Sequence, residues 1–229
     1  MTTQAQLLAD ARSRLDEPSQ QFYADTEIRR WINQGLKDVA RTCETSQTTK
    51  VVSLVPGQQQ YTAPADTIRI YRVEYQDTTS RIAVLEYRDY NNADSVWWTT
   101  QLTVQSTPGM WTAWGFPPNL KIVLYPIPGT PGSTIKVFYY QSPAELALDG
   151  GDSNTAVSIP SGREEIVVDF VEYMALRKAR DPRWQEAKGL YDEKVRAMFD
   201  QTRRWSDQAG TFDEASFPIH PFVWSEDWA

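Results

Sequence analysis

The sequence predicts an α+β protein: a helical bundle formed by both chain ends, an inserted antiparallel β-sheet or sandwich, and an extended C-terminal arm. Three observations carry this. Amphipathic stripes of helical period lie before residue 46 and recur from about Ser161 to Trp205. Between them, short runs of β-branched and aromatic residues from Thr48 to about Gln141 are broken repeatedly by proline and glycine. After Trp205 the stripes stop, and Ser206 to Ala229 carries no lysine or arginine. The boundaries read from these shifts are 1–46 and 156–205 for a discontinuous helical domain, 47–155 for the inserted β domain and 206–229 for the arm. Each stripe needs an apolar partner, which is why the two before the β block are expected to pack with the two after it.

In chain order, Thr3 is placed to cap a first helix, with Gln6 as the reciprocal partner of a capping box. Leu7, Leu8, Ala11 and Leu15 form its stripe and Pro18 closes it. A second helix is expected to begin at Asp25 as N-cap, with Glu27 favourably in its first turn. Ile28, Trp31, Ile32, Leu36, Val39 and Ala40 line one face, and Arg29, Arg30, Lys37, Asp38 and Arg41 the other. Gly35 costs about 1 kcal/mol against alanine inside a helix, which points to close packing on a neighbour.

Val51 to Val55 reads as a strand closed by Pro56-Gly57, and Ile68 to Tyr75 as another. In the latter, Ile68 and Ile70 share one face while Tyr71, Val73 and Tyr75 share the opposite one. Either both faces are covered or a bulge shifts the register. Further strands are expected at 81–87, 102–104, 111–114, 120–125 and 134–140, with a polar loop or single helical turn at 88–95. Two helices follow: one behind a capping box of Ser161 and Glu164, one started by Asp181-Pro182 and ending with Arg203 and Arg204. Their stripes are Ile166, Val167, Phe170, Val171, Met174 and Ala175, then Ala187, Leu190, Tyr191, Val195, Met198 and Phe199.

No catalytic, cofactor-binding or metal site is read from the chain. One cysteine, Cys43, excludes an internal disulfide and a multi-thiolate zinc site. The single histidine, His220, has no visible nucleophile or orienting partner. Gly150-Gly151-Asp152-Ser153-Asn154 lacks both the lysine of a P-loop and the ligand pattern of an EF-hand, so it reads as a flexible connection. Glu164-Glu165 and Asp213-Glu214 are adjacent pairs, which do not share a helical face for acid–base work. No stretch approaches the ~20 apolar residues of a membrane-spanning helix, no basic segment with an apolar run opens the chain, and no membrane partner is expected. The net charge of −7 argues against gripping DNA phosphates over a broad face.

The aromatic content is the unusual feature, with nine tryptophans and eleven tyrosines. Most of Trp97, Trp98, Trp111 and Trp114 is expected in a β core; a carbohydrate- or peptide-binding platform of Trp97-Trp98 and Trp111-x-x-Trp114 is the alternative from another class. In the arm, Phe212, Phe217, Phe222, Trp224 and Trp228 stand among carboxylates and Pro218 and Pro221. Disordered tails are usually poor in aromatics, so these five are the candidate partner-binding residues.

Several stretches together resemble the head-to-tail adaptor (connector, neck) proteins of tailed bacteriophages. They are Val52-x-Leu54-Val55-x-Gly57-Gln58-x-x-Tyr61-x-x-Pro64-x-Asp66-x-Ile68-Arg69-Ile70, the helix phrase Tyr23-Ala24-Asp25-Thr26-Glu27-Ile28-x-x-Trp31-Ile32-Asn33, and Leu124-Tyr125-Pro126-x-Pro128 followed by Val137-Phe138-Tyr139-Tyr140-x-x-Pro143. The resemblance covers roughly Thr3 to Arg204. It implies a structural virion protein without enzymatic activity or cofactor, assembled in the host cytoplasm and located in the virion neck. The partners it implies are the portal protein, neighbouring copies in a dodecameric ring, and downstream tail or neck proteins, with double-stranded DNA passing through the channel without specific binding. A tail-completion or tail-tube protein is the alternative within the structural class.

Overall fold

In the computed structural model, which describes residues 2–17, 22–89, 105–151, 157 and 162–208, the chain is mixed α+β. Helices α1 (Gln4–Arg14) and α2 (Asp25–Cys43) precede ten strands. These are β1 (Gln47–Ser53), β2 (Gln60–Thr62), β3 (Thr67–Gln76), β4 (Ile82–Val84), β5 (Glu86–Tyr87), β6 (Gln105–Ser106), β7 (Met110–Trp114), β8 (Lys121–Tyr125), β9 (Ile127–Pro128) and β10 (Thr134–Gln141). Helices α3 (Glu164–Ala179) and α4 (Trp184–Gln208) follow.

Helix α1 starts where the capping box places it. The Thr3 hydroxyl accepts the Gln6 amide at 3.3 Å, and Gln6 Oε1 accepts the Thr3 amide at 2.8 Å. Helix α2 departs from expectation, because its N-cap is Ala24, without a side-chain cap bond. The reason is a competitor: the buried Arg12 guanidinium claims the Asp25 carboxylate (Nε to Oδ1, 2.9 Å), leaving Asp25 in the first helical turn. The stripe of α2 is buried as read, and a Cβ on Gly35 would lie 3.0 Å from Phe170 Cδ1, so a larger residue there requires the Phe170 ring to give way.

The strands form two four-stranded sheets, ordered β1-β10-β3-β4 and β2-β8-β7-β5, and a two-stranded pair β6-β9. Side chains from both large sheets meet in one apolar core, including Val73, Ile135 and Val137 from the first and Tyr61, Trp111, Ile122 and Leu124 from the second. The antiparallel expectation holds throughout the first sheet but not for β5–β7 and β6–β9, which pair in parallel. The cause at β5 is a corner at Leu85. Its amide donates to Val73 in the first sheet, and the next amide, Glu86, donates to Gly109 beside the second. The run 81–87 is therefore two strands in two sheets.

The switch of apolar parity in β3 is a bulge. Phe138 faces Arg72 and Tyr139 faces Ile70, so Tyr71 is an extra residue, and the shift puts Ile70 and Val73 on the same inner face. The turn Val55–Tyr61 is closed by the Tyr61 hydroxyl, which accepts the Val55 amide at 3.0 Å and donates to the Gln58 carbonyl at 2.9 Å.

Helix α3 begins at Glu164 with Arg163 as its N-cap and no side-chain cap bond, whereas Ser161, the other half of the expected capping box, lies outside the described residues. Glu164 accepts the Thr2 hydroxyl at 2.8 Å, tying the start of α3 to the start of α1. At Asp181-Pro182 the chain turns as expected, with the Asp181 carboxylate accepting the Arg183 amide at 2.9 Å, but the proline precedes the helix, which starts at Trp184. Helix α4 runs on to Gln208, so Arg203 and Arg204 lie inside it and no basic residue occupies its last turn.

Helix α3 touches α1, α2 and α4, and α2 touches α4. It is buried on more than one side, with Val168 and Tyr173 buried as well as the stripe residues Ile166, Val167, Val171 and Ala175. One apolar cluster joins Leu7, Ile32, Leu36 and Val171; another joins Val39, Cys43, Ile166, Tyr191, Val195 and Met198. In α4 Leu190 is exposed, against the expectation that it belongs to the stripe.

Candidate interaction surfaces

Among the described residues, no group of three or more histidine, cysteine or acidic side chains could hold a metal ion. Cys43 is buried, with Sγ 3.6 Å from the Val195 carbonyl, and burial, helped by the charge of Asp38, pushes its thiol up to about 12. It is a thiol at neutral pH and a poor nucleophile. The adjacent carboxylates diverge: Glu164 meets Thr2, while Glu165 pairs with Lys194 at 2.7 Å and Arg14 at 3.5 Å. His220, Asp213, Glu214, residues 152–154 and all five candidate arm residues (Phe212, Phe217, Phe222, Trp224 and Trp228) lie outside the described residues.

Trp97 and Trp98 also lie outside them. Trp111 is 1% exposed in the core between the sheets, edge-on to Tyr87 at 5.0 Å, so it cannot join Trp114 in a solvent-facing stacking platform. The platform expectation is corrected there.

Buried polar contacts fasten the helices to one another and to the segment returning from β10. Asn33 makes a reciprocal pair with Leu146: its Nδ2 donates to the carbonyl and its Oδ1 accepts the amide, both at 2.9 Å. Gln4 Nε2 donates to the Ala147 carbonyl at 3.0 Å. The buried Asp169 carboxylate is held by Lys194 at 2.6 Å and Arg14 at 3.3 Å, joining α1, α3 and α4. The Tyr191 hydroxyl donates to Asp38, and burial and that bond push its pKa up. Sequence reading missed these residues. The available signal was a polar residue at a position in register with the apolar stripe, Asn33 beside Trp31 and Ile32.

Two surfaces are open. The first is the outer face of the β1-β10-β3-β4 sheet. Register places Val51, Lys136, Glu74 and Val84 in one row across four strands, and Thr49, Phe138 and Arg72 in the next. Val51 and Val84 are each 58% exposed, and Ile82, in the row with Gln76, is 64% exposed. Cations lie over the aromatic rings of this face. Lys136 Nζ is 4.9 Å and Arg72 is 5.5 Å from the Phe138 ring, and Arg69 is 5.3 Å from Tyr140. Arg69 also pairs with Glu44, and Arg72 with Glu74. The second surface is the tip of the β7–β8 hairpin, where Gly115 at φ +89° turns the chain and Phe116 is 86% exposed beside the half-exposed Trp114.

Among the described residues, the open sheet face and the aromatic hairpin tip are surfaces suited to contact with another molecule. Comparison with protein families gives the class, the head-to-tail adaptors of phages. The family model that matches is that of the SU10 adaptor protein, over residues 2–213, and the chain belongs to this family. No match was found among curated proteins. Membership carries a structural adaptor role at the virion neck, with portal and tail proteins as the general kind of partner. Among the described residues no helix is long and apolar enough to cross a membrane.

Proposed function

We propose that the chain assembles as a ring beneath the portal, links the capsid vertex to the tail, and lets double-stranded DNA pass through the channel without specific binding. The observation that carries this reading is the family match over residues 2–213, which spans both helix pairs and the β-region together. Helices from both chain ends form one discontinuous domain over 1–46 and 156–205, and the β domain of 47–155 projects from it. The contacts of α1 and α2 with α3 and α4, and the separate core between the sheets, support that division. The net charge of −7 supports passage of DNA, because a broadly acidic protein offers phosphates little to hold.

Residues 209–229, past the end of α4, act as a partner-binding arm through Phe212, Phe217, Phe222, Trp224 and Trp228. Five such side chains bury ~150–250 Å² each, which together approaches the ~800 Å² per partner of a standard interface. The described helices have no long coiled-coil seam for self-association, so each copy holds weakly to its neighbour until the portal gathers many contacts at once. Light scattering at micromolar concentration is expected to report monomer, and incubation with portal-bearing heads to load a ring visible by electron cryomicroscopy. Heads that recruit the chain as scattered single copies, or not at all, would refute the ring reading.

A further inference from the structure

We propose that neighbouring copies of the chain join through the edges of the β1-β10-β3-β4 sheet, β4 of one copy adding to β1 of the next, so that the sheet runs on from copy to copy. The inference rests on the ring reading above, and it names the surface by which the copies meet.

The backbone bonding shows which groups each edge offers. The Leu85 amide donates to the Val73 carbonyl and the Asp77 amide to the Arg81 carbonyl, so residues 81, 83 and 85 bond to β3. By alternation, Ile82 and Val84 turn their N–H and C=O groups away from the sheet. On β1 the Leu54 amide donates to the Ser133 carbonyl, and the Ser46 carbonyl accepts the Gln141 amide. The even-numbered residues therefore bond to β10, and Gln47, Thr49, Val51 and Ser53 point their backbone groups outward. Among the described residues, no backbone group meets either free edge. Ile82, Ala83 and Val84 are all exposed, and β4 has neither the charge nor the proline that usually guards an edge strand.

Strand direction selects the partner edge. The sheet is antiparallel throughout, and its even number of strands leaves β1 and β4 running in opposite senses. A second copy in the same orientation therefore brings its β1 antiparallel to β4, and the alternation continues unbroken. Two β1 edges, or two β4 edges, meet only about a two-fold axis, which closes a dimer. The β4-to-β1 contact is heterologous, the class that builds rings.

The side chains agree with that pairing. Val51 and Val84 end one row at opposite edges, ~14 Å apart across two intervening strands, so they cannot touch within a copy. Joined head to tail, the row passes from Val84 to Val51 of the next copy, and Ile82 falls opposite Ser53. Exposed aliphatics that are separate in one copy become a cross-strand pair between two. Charge fits as well. With Val84 opposite Val51, Lys50 lies opposite Leu85 and one position from Glu86, while Arg81 falls opposite Leu54, four residues away. The Glu86 side chain is exposed, and Lys50 has no ion pair among the described residues. The contact is small, three residues on each edge against roughly 20–30 a side in a standard interface. It does not hold two copies together at micromolar concentration, and it closes when the portal gathers copies that each use both edges.

Paired cysteines on portal-bearing heads test this. Val51→Cys/Val84→Cys places one thiol on each edge, and opposite residues of such a pair lie ~5.5 Å apart at Cα, within disulfide reach. The native Cys43 is buried and does not compete. Mild oxidation of loaded heads is expected to give a ladder of covalent multimers on a non-reducing denaturing gel. The same chain free at micromolar concentration should give at least about tenfold less, consistent with many weak contacts closing together. Val51→Cys/Ile82→Cys reads the register shifted by two residues, and a ladder from either pair supports the proposal. Should the cysteine chains fail to load, Ile82→Lys/Val84→Lys decides. Both side chains are exposed, so melting stays put while ring loading falls at least about tenfold, as charges on an edge block its pairing. Rings of the unmodified chain with no ladder from either cysteine pair, loading indifferent to the lysines, or a dimer formed on the heads by either single cysteine overturns the edge pairing and leaves the ring reading standing. An unmodified chain that loads no ring rejects the ring reading and this inference with it.

Discussion

The core between the two sheets and the cores among the helices are closed by different means. The sandwich is closed by apolar side chains such as Val73, Trp111, Ile122, Ile135 and Val137, on strands whose alternation turns them inward. The helical region joins segments far apart in the chain, and polar groups sit at its seams. Asn33 bonds to Leu146 across 113 residues, Tyr23 to the Ala175 carbonyl across 152 and Tyr191 to Asp38 across 153. Apolar stripes on helices tolerate sliding and rotation, because many registers bury similar area. A buried amide or hydroxyl tolerates one register only, since any other leaves it unpaired. The comparison therefore assigns stability in the sandwich to burial, and much of the specificity among the helices to polar staples.

The largest expected effect tests the sandwich. Trp111→Ala removes a fully buried indole from between the sheets and should cost about 3–5 kcal/mol, read as a lowered midpoint in urea. A loss below ~1 kcal/mol would mean that the two sheets do not share this core. Next comes the strongest staple. Asn33→Ala leaves the buried Leu146 amide and carbonyl without partners, at about 1–3 kcal/mol for each. Asn33→Asp keeps an acceptor for the amide and loses the donor to the carbonyl, so it separates the two halves. The staple argument fails if Asn33→Ala is as mild as an exposed substitution.

The same contrast explains what was legible in the sequence. Features set by neighbours along the chain could be read: the Thr3–Gln6 box, the stripe of α2, the glycine at Gly35 and the parity switch that became the bulge at Tyr71. Features set by a distant competitor could not. Asp25 reads locally as an N-cap until Arg12 takes its carboxylate, and the bond from Thr2 to Glu164 joins residues 162 apart. The division of 81–87 at Leu85 escaped notice because a strand that changes sheets keeps the composition of one that does not. For the binding surface, apolar character alone does not tell an inner from an outer face, so the exposure of Ile82 and Val84 could not be read from the sequence.

A smaller effect sharpens the comparison through pH. Burial raises both Tyr191 and Cys43 above their ordinary values of 10.0 and 9.0. Groups raised on folding contribute stability that is complete below the unfolded pKa and is lost as pH rises, so the melting temperature should fall from about pH 9 upward. Tyr61, Tyr71, Tyr139 and Tyr140 in the sheets are raised by burial too and share this alkaline loss. Tyr191→Phe should cost about 1.5 kcal/mol at pH 7, the low end for a hydrogen bond to a charged group, because Asp38 is only half-buried and regains water. It should also flatten the slope above pH 9 without abolishing it. An unchanged slope would assign the alkaline loss to Cys43 and the other raised tyrosines.

The smallest expected effect concerns a contact of purely local origin. Thr3→Ala removes the hydroxyl that caps α1 and, with it, one half of the reciprocal pair with Gln6. The expected cost is about 1 kcal/mol by the ordinary worth of an N-cap. Its interest lies in what surrounds it. Thr2, one residue earlier, accepts the Val157 amide with its carbonyl at 3.0 Å and donates its hydroxyl to Glu164 at 2.8 Å. If the polar seams act as one unit, fraying the first turn of α1 should also loosen the start of α3, and Thr3→Ala should approach 2 kcal/mol while accelerating hydrogen exchange near Ile166. If instead the cap acts alone, its cost stays near 1 kcal/mol and exchange in α3 is unchanged. A double-mutant cycle with Glu164→Gln decides: additive losses place Thr3 with the local features, and a coupling above ~0.5 kcal/mol places it with the staples.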